Sequence, residues 1–448
     1  RDPEMSRGLG DVYKRQALMS YVASVNYSYD DKYYASFSFR RDGSSRLSPD
    51  TRWGNFWSLS ASWRLSQERF MQPLKSVLSD LKLRASYGVN GNLPSSYYGY
   101  QSTYTTGAFY SGKPSPWEST LGNEELTWEK NYALNLGLDI GLFSRVNVSL
   151  DWYTRTTKDL LMSKQLNSIS GFSSLLTNVG QMRNTGVELE VRSNNIKTKD
   201  FSWTTAFNLS HNKNKILKLA DLPWFVDGRY VRKEGYPFNT IYLREYAGVD
   251  PETGSALYYD NQQDENGNYT KNKVTDPGQA SPIPLKDITP TISGGFMNTF
   301  NYKFIDLSFN LSYSFGGYSY DNASYILQDD GYSVISNKST EQRRRWQKPG
   351  DITDVPRFVY GNKKGGNYNS SRAIHSTDHI RLKSLILGLN APKAWLQKLG
   401  IGNARIYFSG TNLLTWAAYD QYDPEMSGVV GFYTPPLKTY AFGLELKF

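Results

Sequence analysis

From Tyr132 the chain alternates with a period of two. Tyr132, Leu134, Leu136, Leu138, Ile140 and Leu142 are apolar, and Ala133, Asn135, Gly137, Asp139 and Gly141 between them are small or polar. A period of two puts one set on each face of a pleated strand, so one face is greasy and the other wet. After a few residues around Phe143 to Arg145 the pattern resumes with Val146, Val148, Leu150 and Trp152 against Asn147, Ser149 and Asp151, which predicts a hairpin.

The same alternation predicts strands near Tyr21 to Tyr29, Tyr33 to Arg41, Asn55 to Ser66, Leu81 to Gly91, Gly186 to Ser193 and Phe201 to Asn212. It continues near Thr291 to Tyr302, Phe304 to Gly316, Asp378 to Ala391, Ala404 to Leu414 and Lys438 to Phe448. That makes about thirteen strands of about 9 to 13 residues, the length a tilted strand needs to cross a bilayer core, whereas soluble sandwich strands average about 5 or 6. The connections alternate short and long, with long loops at 92–130, 159–185, 213–290, 317–377 and 415–437. Short turns on one side and long loops on the other describe an outer-membrane barrel. The fold class expected is all-β: an antiparallel transmembrane β-barrel.

The final strand places Tyr440, Phe442, Leu444, Leu446 and Phe448 at every second position, interleaved with Thr439, Ala441, Gly443, Glu445 and Lys447, and the chain stops on an aromatic. It is similar to the C-terminal assembly signal of outer-membrane proteins; the plainer alternative is the last strand of a soluble β-protein.

Composition fits the pattern. Of 448 residues, 39% are hydrophobic and 21% charged, but 15% are aromatic and none is cysteine, which rules out a disulfide-stapled scaffold and a thiolate metal site. There is no run of about 18 or more apolar residues, the length a helical span needs. A barrel hides from such averages because it alternates. The net charge of +9 comes from basic residues scattered through the chain, with no basic stripe for nucleic acid, and suits the anionic headgroups of a membrane surface. Residues 1–16 carry neither an apolar core nor a cleavage site of a secretory signal and are read as non-native; the fold argument covers 17–448. With the last strand ending on the short-turn side, an odd count of strands implies the C-terminal part of a longer protein, since single-chain bacterial barrels have an even count.

Several segments resemble the SusC/RagA-type TonB-dependent outer-membrane transporters of Bacteroidetes: YYASFSFRRDGSSRL (33–47), LKLRASYGVNGN (81–92), LTWEKNYALNLGLDIGLF (126–143), NVGQMRNTGVELEV (178–191), RRWQKPGDITDVPRF (344–358), HIRLKSLILGLNAP (379–392) and SGTNLLTW (409–416). The resemblance implies a barrel of about 22 strands, of which these are the C-terminal ones, with the plug and its TonB-contacting segment missing from this chain. It further implies import of oligosaccharides or peptides, energised by TonB, with a SusD-like surface lipoprotein closing over the mouth. A passive porin or a surface adhesin is the alternative. An upstream plug with a TonB-binding segment would favour the transporter, and a signal peptide directly before Ala17 would sink it.

Candidate substrate-binding residues are rings on the long loops: Tyr97, Tyr98, Tyr100, Tyr104, Tyr110 and Trp117, with Trp224 beside Phe225. Flat rings stack on sugars or apolar side chains at small entropic cost, or else form an interfacial girdle. Candidate lumen-lining residues are Asn135, Asp139, Asn147, Asp151, Asn310 and Ser312. Arg40 to Arg46 (RRDGSSR) and Arg343 to Arg345 either hold phosphates of lipopolysaccharide or an acidic substrate, or are turns with internal ion pairs. Asp260, Asp264, Asn266 and Asn268 offer oxygen ligands, but Gly267 falls too early for a calcium loop, so a polar turn is expected. His375 and His379 share a strand face about 13 Å apart, too far for one metal, and are read as rim residues. No G-x-S-x-G, H-E-x-x-H or phosphate-binding glycine loop is present, so neither an enzyme nor a cofactor is expected.

Overall fold

A computed structural model describes residues 16–219, 222–362, 369–392, 395–396 and 400–448. Residues 1–15 of the segment read as non-native lie outside them. Among the described residues the principal sheet has 13 strands, hydrogen-bonded in chain order. They are β1 Leu18–Tyr29, β2 Tyr33–Ser44, β3 Trp53–Arg64, β4 Leu78–Asn92, β5 Glu129–Leu142, β6 Val146–Lys158 and β7 Gln181–Lys197. The rest are β8 Phe201–Lys218, β9 Ile292–Tyr302, β10 Ile305–Phe315, β11 His379–Asn390, β12 Asn403–Ala417 and β13 Thr439–Lys447.

Each predicted strand has its counterpart, but several run longer than the alternation suggests, up to 18 residues in β8. Backbone pairing continues after the apolar stripe stops: β8 passes Asn212 into Lys213, Asn214 and Lys215, and β7 starts at Gln181 rather than Gly186. Short turns use left-handed backbone at Asp30, Asp31, Phe143, Ser144 and Lys303. Short polar side chains tolerate that region; Phe143 and Lys303 occupy it because tight hairpins demand it.

The chain divides into two compact units. The first holds Arg1–Ile140, Asp151–Thr185 and Asn214–Pro223, and the second Gly141–Leu150, Gly186–Lys213 and Trp224–Phe448. In the first, the registers of β1 to β4 line up Val25, Phe37, Leu59 and Tyr87 across four strands, while Ser24, Ser38, Ser58 and Gly88 form the adjacent row on the other face. The apolar stripe ends in stacked rings, Tyr21 on Trp53 at 6.0 Å and Tyr33 on Trp63 at 6.2 Å. Tyr33 Oη and Trp63 Nε1 both donate to Glu68. Ten positions of strand span about 33 Å, which a tilt of about 40° reduces to about 25 Å, the height of an outer-membrane apolar band with aromatic girdles.

The long loops are not structureless. In the first unit, Leu47, Phe56, Val89, Leu126 and Trp128 form a buried cluster. Asn178 clamps it: its Oδ1 accepts from Thr127 N at 2.8 Å and its Nδ2 donates to the Thr127 carbonyl at 2.9 Å. The segments RDGSSRL, YGVNGN, LTWEKN and NVGQ thus meet in one structural joint. Gly91 belongs to it because a Cβ there would lie 2.2 Å from Phe56 Cζ. In the second unit, loop 213–290 folds into a four-stranded sheet (Trp224–Asp227, Tyr230–Lys233, Thr240–Leu243, Ile283–Asp287) and a three-stranded one (Tyr246–Val249, Ala256–Tyr259, Lys273–Val274). Ile241, Leu243, Tyr320 and Ala373 give the loops of this unit a core of their own.

Candidate functional site

The polar face of the strands carries the first constellation. Arg84 on β4 donates from Nε and Nη2 to both Asp139 oxygens, at 2.8 and 2.9 Å, and from Nη1 and Nη2 to both Asp151 oxygens, each at 2.9 Å. Alternation supplies the geometry: Asp139 on β5 and Asp151 on β6 share the wet face, and a Cβ on Gly137 would come within 2.5 Å of the Arg84 guanidinium carbon. Asn135, on the same face, helps line a concavity of about 400 Å³ with Asn26, Ser36, Ser60, Arg84 and Ser86.

In the second unit Asp306 on β10 accepts from Arg405 Nη2 at 2.6 Å and from Asn390 Nδ2 at 2.8 Å. Here too a glycine makes room, since a Cβ on Gly388 would lie 2.5 Å from Asp306 Oδ1. Asn147 lines a concavity of about 240 Å³ with Arg145, Arg192 and Asn194. Asn310 stands opposite Ser384, and Ser312 opposite Arg381.

A further charged cluster lies where β11 begins. Arg381 donates to Asp423 and Glu425, each at 2.8 Å, Lys383 reaches Glu425 at 2.6 Å, and His379 Nε2 lies 3.8 Å from the same carboxylate. His375 instead stacks on Tyr419 at 3.8 Å with the planes 3° apart. The two histidines therefore have different surroundings, and among the described residues no group of three or more His, Cys, Asp or Glu is placed to hold a metal.

The loop rings fall into two groups. Tyr97 is half-buried with the Arg46 guanidinium over its ring at 4.4 Å, and Tyr98 and Tyr100 are half-buried too, Tyr100 packing against the cluster around Trp128. Tyr104, Tyr110 and Trp117 are exposed, on a hairpin of Thr103–Tyr110 and Lys113–Thr120. Trp224 is partly exposed at the mouth of a pocket of about 490 Å³ in loop 213–290, tilted against Tyr242 with centroids 6.0 Å apart.

The remaining sequence candidates are occupied locally. Arg40 pairs with buried Asp42 at 2.7 Å, and Arg46 donates to the Pro94 carbonyl at 2.8 Å. Arg344 pairs with Glu341. Asp264 accepts from the backbone of Asn266 and Asn268 at 2.9 and 2.8 Å, while Asp260 accepts from Thr270 and Asn272. Tyr440, Phe442, Leu444, Leu446 and Phe448 are all exposed.

Sequence reasoning missed Arg84, Arg405 and the Arg381 cluster, because an arginine inside an alternating strand looks like any other polar position. It also missed Asn298, which sits in register with Phe309 and is satisfied by Trp203 Nε1 at 2.8 Å and Thr205 Oγ1 at 2.7 Å. Burial pushes the phenols of loop residues Tyr246, Tyr320 and Tyr419 well above their ordinary range, so all three are neutral donors. Burial opposes the charge of Arg372, but Asp330, 2.5 Å away, outweighs it and holds the guanidinium ionised.

Comparison with known proteins accords with this architecture. Residues 6–336 match the family described as TonB dependent receptor-like, beta-barrel. TonB-dependent receptor P3 of Formosa agariphila is 33% identical over 96% of this chain and 45% of its own length. TonB-dependent receptor SusC of Bacteroides thetaiotaomicron is 31% identical over 97% of this chain and 44% of its own. The solved RagAB peptide transporter superposes with a TM-score of 0.87 and 31% identity, over 97% of this chain and 48% of that one. The chain thus spans a little under half the length of the relatives it matches.

Proposed function

Since this chain belongs to the β-barrel part of the TonB-dependent receptor family, a family of the outer membrane, we propose that it forms the C-terminal wall and extracellular loops of an importer of oligosaccharides or peptides. The observation that carries this reading is the likeness to the RagAB peptide transporter over 97% of the chain. The polar face agrees with it: Asn135, Asp139, Asn147, Asp151 and Asn310 line the lumen. Arg84 links β4 to β5 and β6, and Arg405 links β12 to β10 across β11, which stiffens the wall that a plug must slide against.

In the intact protein, TonB acts through a plug lying outside this chain, and a SusD-like surface lipoprotein covers the mouth by docking on the long loops. The folded loop sheets suit that role, because a partner needs a pre-formed surface. Exposed Tyr104, Tyr110 and Trp117 are the rings available to substrate or lipoprotein; Tyr97 and Tyr98 act from half-buried positions. Tyr440, Phe442, Leu444, Leu446 and Phe448 form the signal read during barrel assembly.

The test is uptake of fluorescently labelled oligosaccharides and peptides by cells producing the intact protein, with and without functional TonB. An importer loses uptake when TonB is lost. Uptake that persists unchanged identifies a porin, and surface binding without uptake identifies an adhesin.

A further inference from the structure

The loop-side ends of β5 to β8 carry cations on the apolar face of the wall. Pairs on the wet face fix which side is which: Thr157 Oγ1 donates to Asn131 Oδ1 at 2.5 Å, and Asn214 Nδ2 donates to Asn184 Oδ1 at 2.9 Å. Successive residues of a strand point to opposite faces, so the neighbours of these four, Lys130, Lys158, Arg183 and Lys215, stand on the other side, where each continues the apolar alternation of its strand. All four belong to the first compact unit.

Lys158, Arg183 and Lys215 are exposed. Lys158 Nζ lies over the Tyr132 ring, 4.9 Å from its centroid, which holds the ammonium beside the last ring of the stripe. Arg183 Nε donates to Thr156 Oγ1 at 3.1 Å, so the Thr156 hydroxyl hydrogen and both terminal nitrogens of the guanidinium remain to donate elsewhere. Among the described residues, Lys130 alone of the four cations has a carboxylate partner, Asp159 at 3.7 Å. Cations gathered without counter-charge repel one another, and an anion that joins them removes that cost. The arginines that stand out in the sequence, Arg40 and Arg46, are by contrast occupied within the protein.

We propose that this patch holds a phosphate of lipopolysaccharide in the outer leaflet, with the Arg183 fork and the Lys158 and Lys215 ammonium groups donating to its oxygens and the acyl chains lying along the apolar stripe. Three features favour a lipid over a soluble anion or an acidic protein segment. From Tyr132 to Leu142 the stripe runs about 33 Å along the strand, or about 25 Å across the membrane at a tilt of about 40°, so the cations stand where headgroups begin. They face the lipid side of the wall and not the lumen. Neighbouring strands lie about 4.8 Å apart, so β6, β7 and β8 present their cations to one headgroup, and a planar guanidinium matches two phosphate oxygens. The proposal rests on the place of the chain in the outer membrane and is independent of whether the intact protein imports.

Native mass spectrometry of the intact protein, released from lauryldimethylamine oxide, tests it by titration with diphosphoryl lipid A, the same lipid A stripped of phosphate, inorganic phosphate and hexaglutamate. The expected result is that diphosphoryl lipid A binds at least tenfold more tightly than the stripped lipid, and that Lys158→Gln, Arg183→Gln and Lys215→Gln together abolish the difference. Arg183→Lys alone, which keeps the charge and loses the fork, should weaken diphosphoryl lipid A at least twofold. A control that loses the same charge at exposed positions elsewhere, Lys113→Gln, Lys199→Gln and Lys348→Gln, should bind as the wild type does. Heat-modifiable gel mobility checks the folding of each. The proposal falls if the first triple variant and Arg183→Lys keep the wild-type preference, if the control loses it as well, or if the stripped lipid binds equally. It falls also if inorganic phosphate or hexaglutamate binds through these cations as tightly as lipid A does, since the partner would then be a soluble anion or an acidic protein.

Discussion

Arg84 illustrates what a single residue contributes on a wet face. Its side chain is 31% exposed and those of its partners 33% and 19%, so solvent screens the pairs and their worth is discounted accordingly. Removing it takes away the guanidinium from which both aspartates accept. Arg84→Met should therefore lower stability by about 1–2 kcal/mol, read as a shift of the urea midpoint in detergent, and adding Asp139→Asn with Asp151→Asn should recover most of it. A triple variant as weak as the single one would show that the arginine acts by packing instead. His375 makes a pH prediction. Burial, the larger influence, pushes its imidazole below the ordinary 6.5 against the opposing pull of Asp321, and its Nε2 has no partner. The unfolded chain thus takes up a proton at a higher pH than the folded one. The contribution is complete above about 6.5 and is lost as pH falls through that value toward the folded state's lower one. Between pH 7.5 and 5.5 the wild-type urea midpoint should drop more than that of His375→Phe, which keeps a flat ring against Tyr419; equal drops would refute the assignment. Neither role was legible in the sequence, where Arg84 is one polar position among many and His375 offers only a spacing to His379.

At the level of elements, β11 shows both how far alternation reaches and where it needs structure to interpret it. Its apolar positions are Ile380 and Leu382, then Leu385, Leu387 and Leu389, so the phase slips at Lys383. The slip is a bulge: register shifts between Asn310 and Leu311 against β10 and between Leu382 and Ser384 against β12, where Asn412 takes a left-handed φ of 53°. The extra residue returns each half of the strand to the correct face. It also places His379 and Arg381 beside Glu425. Deleting Lys383 should put either the charged half or the leucine half on the wrong face, and the heat-modifiable, folded fraction should collapse; deletion of Ile335, 93% exposed in loop 317–377, should leave it unchanged. A folded fraction equal to wild type in both would show that β11 tolerates either phase. The thirteen strands could be read from the sequence because period two is a local property of the chain. The loop sheets could not. Their strands are mostly four residues long, too short for a period to declare itself, and their pairing depends on residues far apart in sequence, as with Thr240 and Asp287.

For the molecule as a whole, the decisive quantity is the number of edges. Among the described residues the sheet begins at β1 and stops at β13, each paired on one side only. β1 is exposed at every position, and Phe442 on β13 is 82% exposed. An unpaired strand with apolar side chains is a template for another strand, and a barrel normally abolishes such edges by closing. The relatives matched here are covered over 44–48% of their own lengths, so they possess further chain that can supply closing partners. Refolded alone in lauryldimethylamine oxide, residues 17–448 should pair edge to edge into dimers and larger species, seen as polydispersity by light scattering after size exclusion. Refolded together with the upstream strands of the intact protein, they should give a heat-modifiable species of defined mass. Charged substitutions at Val25 and Phe442 should reduce the self-association of the isolated chain, because like charges brought together at the new seam repel. A monodisperse monomer formed by the chain alone would show that its two edges find another way to satisfy their backbone groups, and the account of the wall as one part of a larger closed sheet would have to be abandoned.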